Sequence, residues 1–255
     1  LIGLNLSSCK KLIEIDLPKT SVVTGKVFNS NADVEAALAG VYSSMGSSTG
    51  VMNGTNGGIT LYAGQSADEL GFSLVTSAPS IYSYESNKLF ADSANTVLFW
   101  SPAYKTIFSI NAILEGVSSN TSTGLTDSLR RQTTAECKFL RAFNYFYLVN
   151  LFGDVPLVLS TDFNKTGKLP RTAKNEVYEQ IVQDLLDAKE SLPKDYAFVP
   201  SSERVRVNRP AATAMLARVY LYLERWQDAA DAATELIGDS QFELLTDLRQ
   251  VFLKK

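Results

Sequence analysis

Apolar residues recur at helical spacing in six stretches of this chain, separated by segments rich in glycine, serine and asparagine or broken by proline. From Asn29 to Met45, the residues Val34, Leu38, Val41 and Met45 fall three and four positions apart. That spacing predicts a helix, with Ser30 or Asn31 as its cap. Residues 46–60 hold five glycines among serines, threonines and asparagines and read as a loop. Residues 61–96 keep no period and read as irregular. A second helix is predicted over 97–117, with Trp100, Tyr104, Ile107, Phe108, Asn111 and Leu114 sharing one face.

The third helix, starting near Ser128, carries five Phe and Tyr residues within the nine positions 139–147. Phe139, Phe143, Phe146 and Val149 form a stripe that Leu140, Tyr147 and Leu151 widen, leaving Lys138, Arg141 and Asn144 as a narrow polar side. A helix so apolar is expected to be enclosed on most sides. Gly153 suits the position just past a helix end, where positive φ costs glycine little. Pro156 then forbids resumption and holds Val155 extended. The chain is expected to leave the packed layer here and wander to Thr172, the expected cap of a helix over 173–192 with Glu176 in its first turn. That helix presents Val177, Ile181, Leu185, Ala188 and Leu192 and stops at Pro193. Asn208-Arg209-Pro210 opens a helix over 208–224, and a last one follows over 226–238.

The last two helices carry an internal signal. Ala217, Tyr220, Trp226, Ala229 and Ala233 fall where a tetratricopeptide repeat places its small and aromatic packing residues. Helix 173–192 resembles the second helix of another such repeat, with 128–152 as its partner. The aromatics then lie between helix pairs in a stack, and Trp100 and Trp226 are expected in the core. The fold expected is mainly α, a tetratricopeptide-like stack of helix pairs (128–192 and 208–238) with long irregular covering segments.

Composition narrows the chemistry. The chain has 255 residues, 45% hydrophobic and 20% charged, and a formal charge of -3 with no basic cluster, so no nucleic-acid partner is expected. Histidine is absent, which removes the commonest general base and metal ligand and the Ser-His and Cys-His nucleophile pairs. No metal, cofactor or catalytic residue is expected. Cys137, inside the aromatic helix, reads as a small buried hydrophobe. Cys9 follows an apolar run, and Leu6-Ser7-Ser8-Cys9 resembles the lipobox of bacterial lipoproteins, in which the cysteine is acylated. An ordinary N-terminal strand, or the trailing edge of a cleaved secretory signal, is the competing reading. No segment reaches the roughly 18 apolar residues that span a bilayer, so attachment is expected through lipid.

Glu136 to Val158, read as E-x-K-F-L-R-A-F-x-Y-F-x-L-V-x-L-F-G-D-V-P-L-V, is similar to the signature of the SusD/RagB family. Further segments resemble that family in the same order: Ser8-Cys9-Lys10-Lys11, Asp33 to Tyr42, Ser66 to Leu70, Trp100 to Leu114, and Asn208 to Tyr222. The resemblance implies a SusD-like α/α superhelix in an outer-membrane lipoprotein of Bacteroidota. Such a protein captures a glycan and passes it to a SusC-like TonB-dependent transporter, with the scaffold as docking face. It implies that residues 1–9 are the remnant of a lipoprotein signal ending at Cys9 and that 28–255 form the N-terminal domain; residues 10–27, polar and β-branched without helical period, read as an extended tether between them. Family members are longer, so a C-terminal half is expected beyond this chain.

Sugar recognition uses aromatic faces stacked on rings, with amides and carboxylates bonding hydroxyls, displayed from loops on a rigid scaffold. The stretch 46–96 supplies Tyr62, Phe72, Tyr82, Tyr84, Asn87, Asp68 and Glu69. Each of these aromatics has an ordinary alternative role, packing onto the helices beneath. Two other classes compete. Asp68-Glu69 is the one acidic pair that could serve a glycosidase, but adjacent side chains diverge in most backbone conformations. A cytosolic repeat adaptor binding peptides would fit 128–238, yet leaves Cys9, the 46–96 excursion and Gly-Asp-Val-Pro without a role. A non-catalytic glycan-binding protein is the expected function.

Overall fold

The computed structural model describes residues 28–47, 58–71, 79–90, 94–199, 204–247 and 249. The expected Cys9 lipidation site, the 10–27 tether and Phe72 lie outside them. Among the described residues all regular structure is helical: α1 (Asn31–Gly46), α2 (Gly58–Ser66), α3 (Pro79–Glu85), α4 (Ala94–Ser119), α5 (Asp127–Phe152), α6 (Phe163–Thr166), α7 (Lys174–Ser191), α8 (Arg209–Tyr222) and α9 (Trp226–Ile237). The 61–96 stretch is thus more regular than its periodicity suggests. α2 and α3 are short, and neither is long enough to display a stripe.

The stack follows the apolar stripes. α5 is central, packing against α1, α4, α7 and α8, and α8 pairs with α9. Val34, Leu38, Val41 and Met45 of α1 are buried, as are Val177, Ile181, Leu185, Ala188 and Leu192 along α7. Caps form where expected at two starts: Ser30 accepts from the Asp33 amide, and Asn208 from the Ala211 amide. Gly153 has φ +68 and its amide donates to Val149 O at 3.1 Å, closing α5. Cys137 is buried and free.

Four expectations change in three dimensions. Phe108 is 55% exposed, because the buried stripe of α4 runs through Ala103, Ile107, Ile110 and Val117 and leaves Phe108 beside it. Trp226 is 61% exposed at the free edge of α9 rather than in the core. Arg141 and Asn144, on the narrow polar side of α5, are buried because neighbouring helices close over that side as well. Finally, Thr172 does not cap α7. Asp154 does so from a distance, its Oδ1 accepting the Lys174 amide at 2.9 Å, while the Thr172 amide donates to Val155 O at 3.0 Å in an isolated bridge.

The Gly-Asp-Val-Pro excursion is therefore held down rather than free. Among the described residues its extended backbone has no strand beside it beyond that single bridge, and side chains satisfy its polar groups. Tyr104 Oη donates to Pro156 O at 2.8 Å, and Asn111 Nδ2 to Val158 O at 2.9 Å. Tyr145 Oη donates to Val158 O at 3.0 Å and accepts the Val158 amide at 2.7 Å. Glu115 accepts the Thr161 amide at 2.9 Å and the Thr161 hydroxyl. Polar groups of α4 and α5 clasp 155–161 along its length.

Candidate functional site

Apart from Phe72, which lies outside the described residues, the sequence-nominated sugar-binding residues gather where α2 meets α3. Both helices end on a residue with positive φ, Asp68 at 59° and Asn87 at 52°. Asp and Asn adopt that conformation more readily than other side-chain-bearing residues. Past α2, the Glu69 and Leu70 amides donate to Gly64 O at 2.9 and 3.1 Å; past α3, the Lys88 amide donates to Ser83 O at 2.9 Å. The two turns are stitched together: Ser66 Oγ donates to Tyr84 O at 3.0 Å, and Asn87 Nδ2 to Ser66 O at 3.2 Å. The Asn87 amide nitrogen is thus engaged in the scaffold. Asp68 and Glu69 are both exposed.

The aromatic residues divide by burial. Tyr84 is 5% exposed, its ring centroid 4.7 Å from that of Tyr62 and 6.5 Å from that of Phe99. Phe99 also meets Tyr62 edge-on at 5.8 Å. Such tilted and edge-to-face pairs follow from the ring quadrupole, and they anchor α2 and α3 to the start of α4. Burial, then the neighbouring Tyr62 hydroxyl, push the Tyr84 phenol up to about 12. Tyr82, on the other side of α3, is 40% exposed. Tyr62 is half-buried and stands between the two environments.

Tyr62 and Tyr84 line a cavity of about 250 Å³ together with Ile59, Leu89, Phe99 and Leu151. Sequence reasoning did not nominate Leu89, Phe99 or Leu151. They come from a loop and two different helices, so no local spacing joins them. The geometry offers a small apolar recess with the half-buried Tyr62 ring at its edge and the buried Tyr84 and Phe99 rings beneath, and an exposed tyrosine close by on α3. A recess of this kind takes the apolar face of a ring, while hydroxyls at the rim bond to polar groups. Among the described residues no helix is long and apolar enough to cross a membrane.

Comparison with known proteins agrees with this architecture. The SusD-like family described as starch-binding and associating with the outer membrane matches residues 19–221. SusD-like protein P2 of Formosa agariphila is 31% identical over 246 residues, covering 94% of this chain and 46% of its own length. SusD-like protein P25 of the same organism is 27% identical over 253 residues, covering 96% and 46%. A laminarin-binding SusD-like protein of solved structure superposes with a TM-score of 0.71 at 27% identity, covering 83% of this chain and 44% of that one. The chain therefore spans less than half the length of the relatives it matches. With the family match extending over most of its length and the helical stack shared with a solved member, this chain belongs to the SusD-like family.

Proposed function

We propose that this chain is the N-terminal part of a cell-surface lipoprotein that binds a glycan and delivers it to a SusC-like TonB-dependent transporter in the outer membrane. The observation that carries the reading is the shared fold, at 27% identity, with a structure described as a laminarin-binding SusD-like protein. The family's description as starch-binding and outer-membrane-associated supports the same ligand class and location.

In this reading the glycan lies over the α2–α3 region. Exposed Tyr82 stacks on a sugar ring, Tyr62 flanks it, and Tyr84 supports Tyr62 from below. Asp68, Asn87 and Phe72 complete the contact zone. The chain binds and does not catalyse; Cys9 carries the lipid, and no cofactor takes part. Helices of the stack form the docking face for the transporter.

Affinity electrophoresis through gels containing laminarin, starch and a panel of other polysaccharides tests the ligand class. Retardation by at least one, weakened in Tyr82→Ala, supports both the class and the place. Migration unchanged on every polysaccharide turns the reading toward a protein-interaction scaffold or a peptide cargo. Mass spectrometry of the native protein tests the anchor, because an unmodified Cys9 thiol sinks it. Co-purification of a TonB-dependent transporter tests the partner.

A further inference from the structure

The Gly-Asp-Val-Pro excursion runs along α4 in one direction. Pro156, Val158 and Thr161 bond in turn to Tyr104, Asn111 and Glu115, so the chain advances toward the C-terminal end of α4. There it meets the point where the chain enters the fold. Thr161 and Phe28 line one cleft of about 490 Å³ together with Glu115, Gly116 and Asn120. The entry point is fixed: the Phe28 ring lies so close on Gly116 that no Cβ fits there. Asn120 Nδ2 donates to Phe28 O, and Ser122 Oγ donates to Asn29 O at 2.8 Å. The tether read for 10–27 thus joins the body beside Thr161.

Just past Thr161 stands a hydrogen-bonded knob. Asp162 O accepts the Thr166 amide and the Thr166 hydroxyl, each at 2.9 Å, and Asp162 Oδ1 accepts the Asn164 amide at 3.0 Å. The Gly167 amide closes the turn on Phe163 O at 2.8 Å. Phe163 is nonetheless 80% exposed, its ring propped on Gly167, and Leu159 and Leu169 are exposed on either side of it in the chain. Lys165 and Lys168 belong to the same turn. Lys165 reaches Asp162 at 3.6 Å, while Lys168 has no partner among the described ion pairs.

We infer that this knob is a lipid contact, in which Phe163, Leu159 and Leu169 enter the headgroup layer of the membrane that holds the anchor and Lys165 and Lys168 face its anionic groups. The inference rests on the lipid anchor at Cys9 proposed above. Composition and place select a lipid surface. A built turn that holds an aromatic ring out in water, with leucines and lysines around it, has the make-up of an interfacial contact. Anionic headgroups attract lysines held close to them. The knob also stands beside the junction of the tether, so the link that brings the body to the membrane brings this end first. A tether of that length by itself leaves the body's orientation open, and a second contact closes it. Phe99, in the α2–α3 recess, lies about 25 Å from Gly116 along α4 at the usual helical rise. A knob seated in lipid therefore turns the recess away from the membrane.

The test uses the full chain encoded by the gene, made without acyl chains and coupled through the Cys9 thiol to a maleimide phospholipid; Cys137 is buried. Photoreactive p-benzoylphenylalanine is placed at position 163 or, as a control, at position 82. On vesicles of phosphatidylethanolamine and phosphatidylglycerol, illumination and mass spectrometry are expected to give lipid adducts at 163 and none at 82. The Lys165→Glu/Lys168→Glu variant should lose most of the adducts at 163. No lipid adduct at 163, equal adducts at both positions, or adducts indifferent to the charge reversal each overturn the inference. So does a cross-link from position 163 to protein in place of lipid in native outer membranes. An unmodified Cys9 in the native protein would remove the anchor and this inference together, whereas failure on the vesicles removes the inference alone.

Discussion

Arg141 of α5 grips Asp184 of α7 through two hydrogen bonds, Nε to Oδ2 and Nη2 to Oδ1, each 2.8 Å, with both side chains buried. The third donor, Nη1, reaches Asn111 Oδ1 at 3.0 Å, and Asn111 in turn holds Val158 O. One guanidinium thereby joins α4, α5, α7 and the clasped excursion. A buried pair of this kind contributes little net stability over an apolar substitute, but breaking one side leaves a charge without its partner. Arg141→Met is therefore expected to cost roughly 3–5 kcal/mol in urea denaturation. The Arg141→Met/Asp184→Leu double variant should recover most of that loss. A single substitution costing no more than an exposed pair would contradict this role.

A second buried carboxylate ties the long link before α8 to the stack. Glu136 is fully buried and accepts from Arg206 Nε at 3.0 Å and Nη2 at 2.6 Å, from Tyr42 Oη at 2.8 Å and from Gln132 Nε2 at 3.0 Å. Tyr42 Oη also accepts the Val207 amide at 3.2 Å. Glu136→Gln unpairs Arg206 and should cost about 3 kcal/mol. Tyr42→Phe removes neutral donors and acceptors and should cost about 1–2 kcal/mol. Thermal or chemical denaturation gives the order, and Tyr42→Phe proving the more damaging would assign the weight wrongly.

Alkaline pH should unfold the protein through its tyrosines. Burial is the largest cause raising the phenols of Tyr42, Tyr84, Tyr104 and Tyr145 above their usual value, Tyr84 to about 12. An acid whose folded pKa is raised stabilises the fold fully below its unfolded value. That contribution is lost as pH climbs through the folded value. Stability should hold to about pH 10, the ordinary tyrosine value, and decline above it. Phenolate absorbance and far-ultraviolet circular dichroism followed together check this. Titration of every tyrosine near pH 10 with the helices intact would refute it.

Tyr82 and Tyr84 should separate binding from folding. Tyr82→Ala alters an exposed ring and should leave stability within about 0.5 kcal/mol. In the proposed site it should weaken polysaccharide binding roughly tenfold, about 1.4 kcal/mol. Tyr84→Ala empties a packed position and should cost about 3–5 kcal/mol, so any binding it loses comes through the fold. Equal binding by wild type and Tyr82→Ala would remove Tyr82 from the contact zone.

Long helices with wide stripes were legible because burial of one face repeats every three or four residues. α1, α5, α7 and α8 carry that signal, and the pairing of α5 with α7 and of α8 with α9 followed from the repeat pattern. α2 and α3 did not show it, being too short to repeat a face. The candidate site was legible only in part. Tyr62, Tyr82 and Tyr84 could be named from residue type, but not that Tyr84 is buried under Tyr62 or that Phe99 and Leu151 complete the recess.

The linear order of residues by itself determined the helix pairs, the break at Gly153 and Pro156, and the family signature spanning them. Each depends on local spacing or on backbone geometry that glycine and proline impose. Only tertiary structure decided that Arg141 and Glu136 are buried and paired, that Asp154 caps α7 across a turn, and that Trp226 faces outward. Those outcomes depend on groups distant in sequence meeting in space. A charged or aromatic side chain carries no local mark of whether a partner will cover it.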